Sequence, residues 1–165
     1  MRASAPDAGS AWTEPLGGGA VRRRRPSRRT LNLNDVAHDL DDLGPDLLAF
    51  LTERHLATLT TLRVDGTPHV VPVGVTYDPA ARVARVITSG TSAKARHVRE
   101  GQDRVAVCQV EGRRWVTLEG SAVVRDDHVA VADAERRYAE RYRQPRENPA
   151  RVVLEISVDR ILGHG

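Results

Sequence analysis

Two tight-turn signals set between runs of β-forming residues constrain this chain most. Val64-Asp65-Gly66-Thr67 separates residues 56–63 from 69–77, and Glu111-Gly112-Arg113 separates residues 104–110 from 114–125. Turns this short can join only antiparallel neighbours, and Asp-Gly is a strong hairpin pair. A third turn, Asp78-Pro79-Ala80-Ala81, leads into residues 83–89. The last run, 151–161, alternates Val152, Leu154, Ile156 and Val158 with Glu155, Ser157 and Asp159, so one face is buried. Helices are predicted around the strands: from Pro45 to about Arg54, from Ser92 to Glu100 with Gly101 as its stop, and from about Asp127 to Arg143. In the last of these Val131, Ala134, Tyr138 and Tyr142 share one face. Six strands joined mainly by hairpins predict a mainly β, α+β chain built on an antiparallel barrel, not a doubly wound sheet. On residues 69–77 one face, Val70, Pro72, Gly74 and Thr76, is small enough to leave room for a ligand.

The formal charge of +3 suggests an acidic partner until it is located along the chain. Residues 1–30 carry seven arginines against Asp7 and Glu14, which leaves 18 basic and 20 acidic side chains for the rest. The basic character belongs to the amino-terminal segment, so nucleic-acid binding by the folded part is not expected. Residues 1–42 read as a disordered Arg-rich tail and acidic linker, and residues 43–165 as the folded domain. One cysteine, Cys108, excludes an internal disulfide and a Cys-rich zinc site. Without an apolar run of about 20 residues or a secretory signal, the expected setting is the cytoplasm.

Of the 25 basic residues 24 are arginine and one, Lys94, is lysine. It lies in Ile87-Thr88-Ser89-Gly90-Thr91-Ser92-Ala93-Lys94, a strand that ends in hydroxyls, turns at glycine and opens a helix. Hydroxyls, free amides and an ammonium together suit a phosphate. The competing reading is a plain helix cap by Thr91 or Ser92 with Lys94 on the surface. Gln109, Arg114 and Trp115 share a hairpin that either walls a cleft or covers the core. Arg141, Arg143 and Arg146, around Tyr142 and Pro145, either hold a carboxylate or end a helix in solvent. The histidines do not converge, and neither a metal-binding pair nor a Ser-His-acid set is readable. A pocket without a nucleophile or an acid–base dyad points to chemistry supplied by a bound cofactor.

Several blocks carry a family resemblance: residues 50–63, Pro68-His69-Val70-Val71-Pro72-Val73-Gly74, Ala84-Arg85-Val86-Ile87-Thr88 and Arg114-Trp115-Val116-Thr117-Leu118-Glu119-Gly120. Together they resemble the split-barrel flavin and deazaflavin oxidoreductases, the pyridoxamine-phosphate-oxidase-like proteins, and within these the branch that binds coenzyme F420. Arg141-Tyr142-Arg143 and Pro145-Arg146-Glu147-Asn148-Pro149 are similar to the deazaflavin-dependent biliverdin reductases of that branch. The resemblance implies a six-stranded split β-barrel homodimer with the cofactor in a groove between subunits. It puts the cofactor phosphate on Thr88, Ser89, Thr91, Ser92 and Lys94 beside Ile87, and the deazaflavin ring along Pro72 and Gly74. Gln109, Arg114 and Trp115 then close the pocket, and Arg141 and Arg143 hold substrate propionates. The implied reaction is hydride transfer from reduced F420 to a conjugated acceptor, biliverdin giving bilirubin, with no catalytic side chain of the protein's own. FMN as the cofactor and a non-catalytic F420- or tetrapyrrole-binding protein are the alternatives.

Overall fold

The computed structural model describes residues 37–165. The expected Arg-rich tail lies outside them. Helix α1 (Pro45–Thr52) leads into β1 (Ala57–Leu62) and β2 (Pro68–Val73), then β3 (Thr76–Asp78) and β4 (Val83–Ser89). Helix α2 (Ala93–Arg99), β5 (Arg104–Glu111), β6 (Arg114–Arg125), α3 (His128–Arg141) and β7 (Arg151–His164) complete the described chain. Every strand pair is antiparallel, as the short turns require.

The sheet has seven strands in the order β2-β1-β5-β6-β7-β4-β3, one more than the sequence predicts. The extra strand comes from residues 69–77, expected as one strand, which divide at Gly74-Val75 into β2 and β3. Two consecutive strands therefore occupy opposite edges of one sheet. Because the three steps from Val73 to Thr76 span no more than about 11 Å, the sheet must curl until its edges nearly meet. It remains an open, split barrel, since β2 and β3 do not pair with each other.

The break has a local cause. The Val75 N–H donates to the Tyr142 hydroxyl (3.1 Å) and the Val75 carbonyl accepts from Arg141 (2.6 Å), so side chains take the place of a strand partner. It also ends the small face expected on this segment. Val70 is exposed, but Thr76 is buried among the core residues beyond the break.

Alternation along the strands fills the interior with Leu59, Val86, Leu118, Leu154, Ile156 and Ile161, all essentially inaccessible, and Phe50 of α1 plugs one end. Burying each large apolar side chain contributes roughly 1.5–3 kcal/mol. Between β6 and β7 the register shifts at Glu119/Gly120, where an added Cβ would stand 2.1 Å from the Ser157 carbonyl oxygen. Glycine is required there because backbone fills the space a side chain would need. The end of the acidic segment joins the fold rather than acting as linker. His38 donates its N–H to the Ile161 carbonyl (2.9 Å), its Nε2 meets the Gly163 carbonyl (2.7 Å), and Leu43 is buried.

Both later helices begin on side-chain caps. Ser92 accepts from the Ala95 N–H, and Asp127 accepts from the Ala130 N–H (3.0 Å). Asp127→Ala is expected to lower stability by removing this cap, read as a urea midpoint shifted downward with an unchanged slope.

Candidate active site

A cavity of about 320 Å³ opens where β2, β4 and the start of α2 meet the end of α3 and the chain that follows it. Pro72 and Gly74 line one side, Ile87 and Lys94 another, and Tyr138, Arg143 and Arg146 face them, with Arg151 beyond. The chain folds this way because Gly74 carries no side chain. A Cβ at Gly74 would come within 2.6 Å of the Tyr138 ring and 3.1 Å of the Tyr142 ring. The two tyrosine rings pack against each other, 4.9 Å between centroids and tilted by 31°, and Tyr138 with Pro72 and Gly74 gives the cavity an apolar floor.

The walls are cationic. Lys94 is half-buried, forms no ion pair with any described residue, and its ammonium is held below the usual lysine range by burial. Arg143 and Arg146 likewise face no carboxylate within 4 Å among the described residues. Only Arg151 is neutralised, by Glu135 at 2.9 Å, and it also donates to the Arg146 carbonyl. A half-buried ammonium left without a counter-ion is costly unless an anion completes the site.

The structure brings five of the candidate residues, Pro72, Gly74, Ile87, Lys94 and Arg143, together in this cavity. The hydroxyl residues lie beside it and are engaged with one another. Thr88 is buried and donates to Ser92 (3.2 Å), while Ser89 and Thr91 are 3.0 Å apart. Both readings of the Lys94 segment therefore hold in part. Ser92 does cap α2, yet Lys94 lines the cavity instead of lying in solvent.

Four other expected site residues are placed elsewhere. Gln109 is buried, donates to the Phe50 carbonyl (2.8 Å) and accepts from Arg141 (2.6 Å), so both ends of its amide are engaged inside the fold and away from the cavity. Arg141, expected to hold a propionate, donates twice to the Glu53 carbonyl (3.0 and 2.7 Å), once to Val75 and once to Gln109. Its guanidinium is a structural clamp with little left to offer a ligand. Burial holds its pKa below the ordinary arginine value. Arg114 pairs with Glu53 through two bonds (2.7 and 2.8 Å) and lies 4.5 Å over the Phe50 ring. Trp115 meets His164 edge-on at 6.0 Å.

Tyr138 and Arg151 were not foreseen as site residues. Helical spacing assigned Tyr138 to a buried face without distinguishing core from cavity, and the register that sets Arg151 opposite Ser89 is a tertiary fact.

Arg114, with His55 at 2.8 Å, holds the Glu53 carboxyl down to about 2 from its ordinary 4.5. A depressed carboxylate contributes stability that is present above its unfolded pKa and lost as pH falls through the folded one. Acid unfolding should therefore steepen between about pH 4.5 and 2, and Glu53→Gln should flatten that limb. An unchanged pH profile in the variant would mean that solvent screens the pair completely.

The chain is an antiparallel split barrel with a cationic cavity beside the break between its edge strands, and residues 43–165 match the family model described as pyridoxamine 5'-phosphate oxidase. The chain belongs to that family. Within it, the F420H(2)-dependent biliverdin reductase of Mycobacterium tuberculosis is 58% identical over 122 residues, 73% of this chain and 88% of the relative. Two solved structures share the fold. A conserved hypothetical protein of M. tuberculosis has a TM-score of 0.64 at 21% identity, over 81% of this chain and 88% of its own. A putative pyridoxamine 5'-phosphate oxidase of Listeria innocua has a TM-score of 0.59 at 20% identity, over 76% of this chain and 98% of its own.

Proposed function

We propose that the protein is an F420-dependent reductase that converts a biliverdin-type tetrapyrrole to its bilirubin form. The observation that carries this reading is the 58% identity to a relative named for that activity, extending over 88% of it. The cavity supports it. Lys94, half-buried and without a counter-ion, is suited to the cofactor's phosphate, and the apolar floor at Pro72 and Gly74 to a planar ring. Thr88, Ser89, Thr91 and Ser92 supply hydroxyls beside Lys94 that can turn toward the same phosphate. Arg143 and Arg146 face the cavity with charge to spare for carboxylates, and of the two arginines expected to hold propionates Arg143 alone keeps that role, Arg141 being engaged within the fold.

When bound, reduced F420 supplies a hydride, and reduction of the central methine of the acceptor is completed by one proton from solvent. The chain's own contribution is to hold both molecules in register and to fix cationic charge before they arrive. We propose that this occurs in the cytoplasm, in a homodimer. Val110, 61% exposed and in register with Trp115, supports a subunit contact along that hairpin. Gln109, Arg114 and Trp115 would then act by shaping the hairpin and not from within the cavity of their own subunit. Among the described residues no helix is long and apolar enough to cross a membrane.

The family's description favours FMN as the second reading of the cofactor. Titrating the purified protein with oxidised F420 and with FMN separates the two. Micromolar binding of F420 with weak or no binding of FMN is expected, and the reverse would sink the F420 reading. Turnover with reduced F420 and biliverdin, followed by bilirubin absorbance, distinguishes a reductase from a protein that only binds.

A further inference from the structure

Tyr138 and Arg143 border two cavities. One is the Lys94 cavity. The other, about 230 Å³, is bounded by Arg54, Leu56, Tyr138, Tyr142 and Arg143. The two differ in chemistry. The second contains no lysine, and one side is formed by Leu56, 65% exposed. An exposed leucine beside aromatic rings is a surface that gains from being covered by an apolar molecule.

The aromatic wall is rigid. The Tyr142 hydroxyl donates to the His55 carbonyl (2.8 Å) and accepts from the Val75 N–H (3.1 Å), and Tyr138 is stacked on Tyr142. Arg54 follows α1 and Arg143 follows α3, so the two cations reach the cavity from separate elements. Both are exposed, and neither pairs with a carboxylate within 4 Å among the described residues. Rigid aromatic and aliphatic walls with two free guanidinium groups suit a flat conjugated molecule that carries carboxylates.

We infer that this second cavity is the acceptor site, in which Arg54 and Arg143 hold the carboxylates of a conjugated substrate against Leu56 and the tyrosine wall. The inference rests on the reductase reading given above. A reaction that passes a hydride between two bound molecules needs them side by side, and two cavities that share Tyr138 and Arg143 provide that adjacency. Arg54 thereby becomes a determinant of substrate choice. It lines only the second cavity, whereas Arg143 lines both and cannot separate the roles.

The test uses the full chain and measures equilibrium binding of biliverdin, of its dimethyl ester and of oxidised F420, each alone, by absorbance titration. Arg54→Gln is expected to weaken biliverdin by about tenfold or more, as loss of a charge-assisted contact does, while the dimethyl ester and F420 are unchanged. Leu56→Asp is expected to weaken the acid and the ester together. Equal loss of acid and ester in Arg54→Gln would overturn the carboxylate assignment, and a fall in F420 affinity would give Arg54 to the cofactor. If Leu56→Asp alters the sedimentation of the protein but neither tetrapyrrole affinity, the face is a subunit contact and the inference fails. Wild-type protein that binds no biliverdin overturns it as well. Protein that binds biliverdin through Arg54 yet does not reduce it leaves the site standing and overturns the reductase reading alone.

Discussion

Arg141→Ala is expected to lower the stability of the fold by about 3 kcal/mol, the upper end of what is found when a part-buried charged donor is removed from several acceptors. The guanidinium satisfies the Glu53 carbonyl twice, the Val75 carbonyl and the Gln109 side chain, and all four bonds bridge segments distant in sequence. Truncation leaves those acceptors facing protein instead of water, and it removes the clamp that ties the end of α1 to the break between β2 and β3. For a chain of this size the loss corresponds to a fall in Tm of about 6–12 °C. Arg141→Lys should recover little, since one compact ammonium cannot span three separated acceptors. Cofactor affinity should fall together with stability, because the Tyr142 and Gly74 contacts are set by the same clamp. A urea midpoint unchanged from wild type would refute the clamp.

Lys94→Ala has the opposite signature: weaker cofactor binding by about 1–3 kcal/mol, roughly fivefold to 150-fold, with no loss of stability. Burial lowers the pKa of this ammonium, so in the free protein the charge works slightly against folding at neutral pH, and alanine should leave the fold as stable or more so. An anion beside the amine favours its protonated form. Affinity should therefore be full while Lys94 is protonated and decline as alkaline pH removes its charge. Lys94→Arg should keep affinity to higher pH. Isothermal titration of F420 across that range checks both. Equal affinity in wild type and Lys94→Ala would return the residue to a surface role.

These two arginine and lysine positions also mark the limit of what can be read along the chain. Lys94 was legible because its signal is local: a strand, hydroxyls, a glycine turn and a helix start within eight residues. Arg141 was misread because its partners lie 88, 66 and 32 positions away, and no local pattern specifies them. Gln109 and Arg114 failed for the same reason, each consumed by a contact near 60 residues distant. Tyr138 was legible as a helical residue with an inward face, but spacing cannot tell a packed interior from an open cavity.

The sequence by itself determined the antiparallel strands, the hairpins, the helix caps, the location of excess charge and the placing of the one lysine at a helix start. Each follows from periodicity, turn chemistry or composition, which act over a few residues. The tertiary structure alone decided that residues 69–77 divide at Gly74-Val75, that Arg141 ties the end of α1 to that break, and that Tyr138 and Arg143 stand between two cavities. A buried polar group must find a partner, and the sequence states the need without naming the partner. Only the folded chain brings the residues close enough for one to satisfy another.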